Sequence, residues 1–160
     1  MSKGFSLIEL VVATSIIATL SLISVLSIVR FQKTTILDNT TAELDSTIHL
    51  AQSKSVSGEL LEEEEPDDFE ENGLPQYGVQ VSSDEYTMFR DIQRFGESST
   101  RETLESYSIN DFVTISPTAE VVFSRIQGAT SATTFTIQGA NSESRQVIIS
   151  ADGQITIQRL

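Results

Sequence analysis

The chain has 160 residues, no cysteine and a formal net charge of −13. This length leaves room for one modest folded domain beside an N-terminal anchor. Without cysteine no disulfide can form, which excludes an architecture with a disulfide-closed C-terminal loop. The negative charge disfavours nucleic acid as a partner, because phosphates are bound by clustered Lys and Arg and the chain has no such cluster. It also disfavours electrostatic adhesion to anionic lipid.

The first 30 residues combine a short leader with a long apolar segment. Lys3 and Gly4 precede an apolar run, residues 5–29, in which Glu9 is the only charge. Residues 10–29 are uncharged, and as a helix rising about 1.5 Å per residue they would span about 30 Å, the thickness of the bilayer hydrocarbon. This pattern predicts a membrane-spanning helix.

The sequence GFSLIELVVA, residues 4–13, resembles the N terminus of type IV prepilins and of type II secretion pseudopilins. In that family a membrane peptidase cuts after the glycine and methylates the new N-terminal residue. The resemblance implies cleavage between Gly4 and Phe5 and N-methylation of Phe5, so that Glu9 becomes the fifth residue of the mature chain. An ordinary secretory signal is cut after its apolar segment. Here the cut precedes the segment, and the helix would survive processing.

Glu9 is the predicted assembly residue, together with Phe5. A carboxylate within hydrocarbon costs roughly 2.5–3.5 kcal/mol on insertion scales. In a packed helical array, Glu9 of one subunit would neutralise the Phe5 amine of its neighbour, so that both charges are satisfied. The alternative is a tolerated polar residue that reaches out to the membrane interface.

Small hydroxylated residues recur through the apolar segment. Such residues let helices approach closely in lipid, although each hydroxyl can also bond its own helix backbone. They are Thr14, Ser15, Thr19, Ser21, Ser24 and Ser27.

A single helix is predicted from about Phe5 to about Ser57. No proline interrupts residues 5–61, and Gly58 offers a C-terminal stop. Past the membrane segment, an apolar stripe with a 3.6-residue repeat predicts packing against a sheet. Its members are Phe31, Leu37, Leu44, Ile48, Ala51 and Ser55.

An acidic segment follows the predicted helix. Eight of the ten residues 62–71 are Asp or Glu, which predicts a solvated loop over residues 59–73. Loop carboxylates can bind calcium, but the spacing lacks the alternation of a regular calcium loop. We therefore predict no resident cofactor or metal, and calcium is the weaker alternative. Its first candidate ligands are Asp67, Asp68, Glu70 and Glu71.

Six or seven short strands are predicted after this segment. Residues 77–81 and 86–89 alternate around a turn and predict a hairpin. Asp152 and Gly153 lie between two alternating runs, 146–150 and 154–158, and predict a second hairpin. Further strands are predicted at residues 112–115, 121–123 and 133–138, a turn from Gln127 and Gly128, and an irregular loop over residues 90–108. One long helix packed on a C-terminal antiparallel sheet gives an α+β, pilin-like fold.

A second resemblance covers about half of the soluble part of the chain. The segment LDSTIHLAQSKSVSG, residues 44–58, and the later segments VVFSRIQG, TTFTIQ and RQVIISADGQITI resemble H-type minor pseudopilins, the GspH/FimT family. That family shows an apolar-Phe-x-x-x-Gly turn, an alternating strand and a closing hairpin with a glycine at its turn. Phe123, Gly128, Arg145 and Gly153 occupy those places, with four residues instead of three between Phe123 and Gly128. The resemblance implies a minor subunit.

Enzymatic chemistry finds no support in the sequence, and we predict no catalytic residues. His49 is the only histidine, and without cysteine it cannot build an ordinary zinc site. No phosphate-binding glycine loop and no Gly-x-Ser-x-Gly turn occurs. A packing or surface role is predicted for His49.

Together these observations predict a structural subunit of a type IV filament system, a minor pilin or a pseudopilin. Its regions would be a leader (1–4), a transmembrane assembly helix (5–29), the soluble half of the helix (30–58), the acidic loop (59–73) and a β-rich domain (74–160). Its partners would be the prepilin peptidase, other pilin or pseudopilin subunits, the membrane platform protein and the lipid bilayer. It would cross the cytoplasmic membrane once, with its C-terminal domain outside the cytoplasm, and then enter a filament. The alternative is a membrane-tethered β-domain that binds a ligand or surface.

Overall fold

One helix and nine strands make up the parts of the chain that the computed structural model describes, residues 6–58, 75–92, 100–124, 128–129 and 131–160. The predicted α+β class is confirmed. The elements, in chain order, are α1 Leu7–Ser57, β1 Gln76–Val81, β2 Glu85–Ile92, β3 Thr100–Ser108, β4 Val113–Ser116, β5 Ala119–Ser124, β6 Gly128–Ala129, β7 Thr133–Gly139, β8 Ser144–Ile149 and β9 Ile155–Arg159.

Helix α1 is uninterrupted over 51 residues, as the absence of proline predicts. It ends at Gly58, whose backbone is left-handed with φ 63° and whose N–H donates to the carbonyls of Lys54 and Ser55. Glycine adopts this conformation without the steric cost that a Cβ atom brings. The predicted helix and its stop residue are both confirmed.

The strands form two antiparallel sheets. The first has five strands in the order β3-β2-β1-β5-β6, and the second has four in the order β4-β7-β8-β9. Both predicted hairpins are confirmed, since Val81 pairs with Tyr86 and Ile149 pairs with Ile155. Gly153 takes φ 82° in the second hairpin's turn. The two sheets pack on the same helix, α1.

Two parts of the strand prediction are wrong. Residues 90–92 continue β2, and residues 100–108 form β3, where an irregular loop was predicted. Gly128 starts the short strand β6, where a turn was predicted. Strand β3 lies at the edge of its sheet and is exposed or half-buried throughout, and its mostly polar sequence lacks apolar alternation.

Cross-strand contacts on the outer face of the first sheet hold β3 in place. Arg101 donates to Asp91 at 2.7 Å and to Glu120 at 2.8 Å, and its guanidinium stacks 3.8 Å above the centroid of the Phe89 ring. The Phe89 ring in turn covers Gly78, where a Cβ atom would lie 2.6 Å from the ring. Arg101 carries the raised pKa of a guanidinium bonded to two carboxylates.

The core lies between α1 and the inner faces of the two sheets. The helix contributes one buried face to this core, formed by Leu37, Thr40, Thr41, Leu44, Thr47, Ile48, Ala51 and Ser55. The stripe prediction is therefore confirmed from Leu37 onward and wrong for Phe31, which is 73% exposed. Phe31 is exposed because it precedes Leu37, the first helix residue that the sheets bury.

Buried polar side chains also fasten the helix to the sheets. Arg145 of β8 is buried, and its Nε donates to Asp38 Oδ1 at 3.0 Å. Ser55 is buried as well: its Oγ donates to the carbonyl of Phe123 and accepts the N–H of Tyr77 at 3.1 Å. Ser55 thus joins α1 to the ends of β5 and β1, which pair with each other at these two positions.

Replacing Ser55 by Ala is expected to lower the free energy of unfolding by about 1–3 kcal/mol, because a buried N–H and a buried carbonyl lose their partner. Chemical denaturation of the detergent-solubilised chain measures the change. The matched control is Ser53→Ala, which makes the same substitution two residues away at an exposed position of the same helix. Equal stability of the two variants would contradict the bridging role of Ser55.

Candidate functional site at the N-terminal helix

No side chain in the first half of α1 is buried within the described structure. Its large apolar side chains over residues 7–29 are between 43% and 80% exposed, and none of its most apolar 18-residue window is buried. That window has a mean hydropathy of 2.3, and α1 is the one helix in the described residues that is long and apolar enough to cross a membrane. This helix therefore has the properties of a membrane anchor.

The hydroxyl groups of this segment bond to the carbonyls of their own helix. Thr14 and Ser15 both donate to the Val11 carbonyl, at 3.0 and 2.8 Å. Ser21 and Ser24 donate in the same way to the carbonyl four residues earlier. The donors are thereby satisfied without water, which suits a helix in hydrocarbon, and the small side chains still permit close helix packing.

Glu9 is the single charged residue of this apolar surface. It lies in the first turn of α1, where its N–H donates to the carbonyl of the N-cap residue Ser6 at 3.1 Å. The Ser6 side chain makes no capping bond, so the first-turn N–H groups keep their partial positive charge beside the carboxylate. Glu9 is exposed and makes no ion pair with another described residue. It has no charged partner within this part of the chain.

The remaining predicted site residues lie outside the described ranges. Gly4 and Phe5 fall outside them. The four candidate calcium ligands, Asp67, Asp68, Glu70 and Glu71, fall outside them too. Within the described residues no group of three or more metal-binding side chains occurs.

His49 lies on the solvent side of α1. Its side chain is 55% exposed, and its Nε2 atom lies 3.8 Å from Asp45 Oδ1 one helical turn away. This geometry agrees with the predicted surface role.

Comparison with known protein families gives a match at the N-terminal end of the chain. Residues 1–25 match the family model of the prokaryotic N-terminal methylation motif. The chain has a prepilin-type N terminus. The matched residues include both the predicted cleavage position and Glu9, and they extend through most of the apolar segment. Comparisons with curated proteins and with solved structures gave no significant match.

The structure adds one feature that sequence reasoning missed. A cavity of about 510 Å³ lies where α1 enters the globular domain, between the helix and the turn that joins β7 to β8. The only signal in the sequence is that Arg30 and Lys33 follow the apolar segment directly. The cavity is lined by Leu26, Val29, Arg30, Lys33, Thr34, Asn141 and Glu143.

A chain that begins at Arg30 is expected to fold and to remain soluble without detergent, because the buried face of α1 starts only at Leu37. Its thermal unfolding midpoint should match that of the full chain in detergent, as measured by circular dichroism. A second truncation that begins at Leu44 removes the buried Leu37 and Thr41 and is expected to be clearly less stable. Loss of folding in the first truncation would contradict the independence of the two halves.

Proposed function

We propose that this protein is a structural subunit of a type IV filament system, a minor pilin or a pseudopilin. The observation that carries the proposal is the first half of α1, an exposed apolar helix with one carboxylate, Glu9, inside the residues matched by the methylation motif. A soluble protein leaves no such surface uncovered. Lipid covers it before assembly, and the helices of sister subunits cover it afterwards.

Processing creates the partner that Glu9 needs. The prepilin peptidase hydrolyses the bond between Gly4 and Phe5, which releases the four-residue leader and leaves a cationic amine on Phe5. Methylation of this amine preserves its charge. When the subunit packs beside another, the Glu9 carboxylate of one neutralises the Phe5 amine of the other. A charge pair in hydrocarbon removes a large part of the cost that each charge has alone, and the pair therefore fixes the register of the two helices.

The rest of the chain completes the proposed subunit. Residues 1–4 form the leader, 5–29 the transmembrane and assembly helix, 30–58 the soluble half of the helix, 59–73 the acidic segment and 74–160 the β-rich domain. The loop predicted over residues 59–73 lies outside the described residues. The subunit crosses the cytoplasmic membrane once with this domain outside the cytoplasm. A membrane platform protein then passes it into the filament. The resemblance of the hairpin around Gly153 to H-type pseudopilins supports a minor subunit, and the work of the molecule is mechanical rather than enzymatic.

Glu9→Leu is expected to abolish incorporation into filaments and to leave membrane insertion intact, because the variant keeps the apolar helix and loses the counter-charge for Phe5. The measurement is the ratio of subunit in sheared filaments to subunit in the membrane fraction, by immunoblot in the native host. Glu9→Gln should fail as well, since it keeps the shape of the side chain and removes its charge.

Val12→Leu is the matched control for this experiment, because it changes an apolar residue nearly one helical turn away and should incorporate normally. Normal incorporation of Glu9→Leu would overturn the subunit proposal in favour of a membrane-tethered binding module, which gains nothing from an acid at this position.

Gly4→Val is expected to block processing, because the added side chain lies directly at the bond to be cut. Intact-mass analysis of the membrane-bound protein is the measurement. The parent should lack residues 1–4 and carry one added methyl group, whereas the variant should keep the leader and lack the methyl group. Ser2→Ala, which changes the leader away from the bond, should be processed like the parent. A parent chain that retains Met1 or Ser2 would contradict the proposed cleavage.

A further inference from the structure

The cavity at the base of the globular domain combines apolar, cationic and anionic walls. Leu26 and Val29 contribute the apolar wall, Arg30 and Lys33 contribute two positive charges, and Glu143 contributes one negative charge. Its volume of about 510 Å³ falls within the range of small-molecule sites, roughly 300–1,000 Å³.

The position of the cavity along the helix places it at the membrane surface. Residues 10–29 are uncharged and span about 30 Å, so that Arg30 is the first charge beyond the hydrocarbon when the helix crosses a bilayer. The apolar wall belongs to the last turn of this segment, and the charged wall follows it. The cavity therefore meets the boundary at which acyl chains end and headgroups begin.

The two cations of the cavity have unused hydrogen-bond donors. Among the described residues, Arg30 has no hydrogen bond or ion pair, and the contact of Lys33 is with the ring of Phe112, at 5.7 Å from the centroid. The other polar groups of the wall are engaged with each other, since Asn141 donates to Thr34 Oγ1 at 3.1 Å. Guanidinium and ammonium groups without a protein partner are suited to a phosphate.

Glu143 holds the opposite charge in the same cavity. Its carboxylate accepts a hydrogen bond from Thr34 at 3.2 Å and lies 3.8 Å from Arg145, and its side chain remains 44% exposed. A carboxylate has about four acceptor positions, so it can take a further donor from the cavity. A ligand that carries an ammonium group beside its phosphate would satisfy both walls.

We propose that, in the membrane-resident subunit on which the proposed function rests, this cavity binds the headgroup of a zwitterionic phospholipid with a primary amine, as in phosphatidylethanolamine. Arg30 and Lys33 bind the phosphate, Glu143 accepts from the ammonium, and Leu26 and Val29 contact the first methylene groups of the acyl chains. A bound headgroup fixes the orientation of the globular domain against the membrane before the subunit is extracted.

The chemistry of the walls predicts selection among headgroups. Phosphatidylcholine carries the same charges, but its quaternary ammonium has no N–H to donate to Glu143. Phosphatidylglycerol offers the phosphate without an ammonium, and the net charge of −13 on the chain opposes anionic lipid in general. Phosphatidylethanolamine should therefore bind best.

Native mass spectrometry of the full chain in detergent tests the proposal, with phosphatidylethanolamine, phosphatidylcholine and phosphatidylglycerol supplied at equal concentrations. One molecule of phosphatidylethanolamine is expected to stay bound in preference to the others. The double variant Arg30→Gln with Lys33→Gln should bind it at least about tenfold more weakly, because two charge-assisted contacts to the phosphate are lost. Glu143→Leu, which removes every acceptor oxygen of this side chain, should bind phosphatidylethanolamine and phosphatidylcholine equally.

The matched control is Lys54→Gln with Arg159→Gln, which removes the same two charges at positions that do not line the cavity. It should bind phosphatidylethanolamine like the parent. Equal retention of all three lipids, absence of a bound lipid, equal weakening in the control, or displacement of the lipid by millimolar inorganic phosphate would each overturn the proposal.

Flotation of the same proteins with phosphatidylethanolamine vesicles separates this inference from the proposed function. A chain that floats with the vesicles but retains no lipid in the mass spectrometer overturns the headgroup site alone, and the filament proposal stands. A parent chain that does not float overturns the membrane-resident state that both proposals share. Loss of filament incorporation in Glu9→Leu does not affect the lipid measurement, which uses the unassembled chain.

Discussion

One continuous helix must satisfy two different surroundings, and the rest of the structure depends on this constraint. Over residues 7–29 the protein buries no side chain of the helix, and in lipid its hydrogen bonds must be made within the helix itself. The backbone does so by helical geometry, and the hydroxyls of Thr14 and Ser24 do so by bonding to carbonyls one turn earlier. From Leu37 onward the same helix is covered by two sheets and contributes one wall of a protein core. The helix continues without a break from its exposed half into the half that the sheets cover.

The globular domain is fastened to the second half of the helix by apolar burial and by a few buried polar contacts. Ser55 occupies a position that links the ends of two strands, and Arg145 reaches from the second sheet to Asp38. Each of these hydrogen bonds can form only when the helix and the strand are aligned in one register, so the contacts fix position as well as adding stability. These contacts therefore hold the domain at one position along the helix, with the cavity beside Arg30 at the junction with the apolar segment.

The two halves of the helix also differ in the surfaces that they carry. The apolar half presents a uniform surface, in which a single carboxylate, Glu9, is the only group capable of a charge interaction. In the proposed filament, that carboxylate turns non-specific apolar contact into contact at one register, since an unpaired charge in hydrocarbon is costly. The soluble half carries the globular domain, whose first sheet is crossed by the charged contacts of Arg101.

The sequence by itself determined the features that depend on local pattern and composition. These were the uninterrupted helix, its end at Gly58, the two hairpins, and the prepilin-type N terminus, in whose apolar segment Glu9 is the one charge. Each is set by residues close together in the chain. Tertiary structure alone decided the features that depend on distant residues. Strand β3 has no apolar alternation and is defined by its pairing with β2, Phe31 is exposed because the sheets begin to bury the helix only at Leu37, and the cavity joins Arg30 to Glu143 across more than a hundred residues. Contacts of that kind leave no periodic signal in a single chain, since periodicity reports which face of an element is buried and not what covers it.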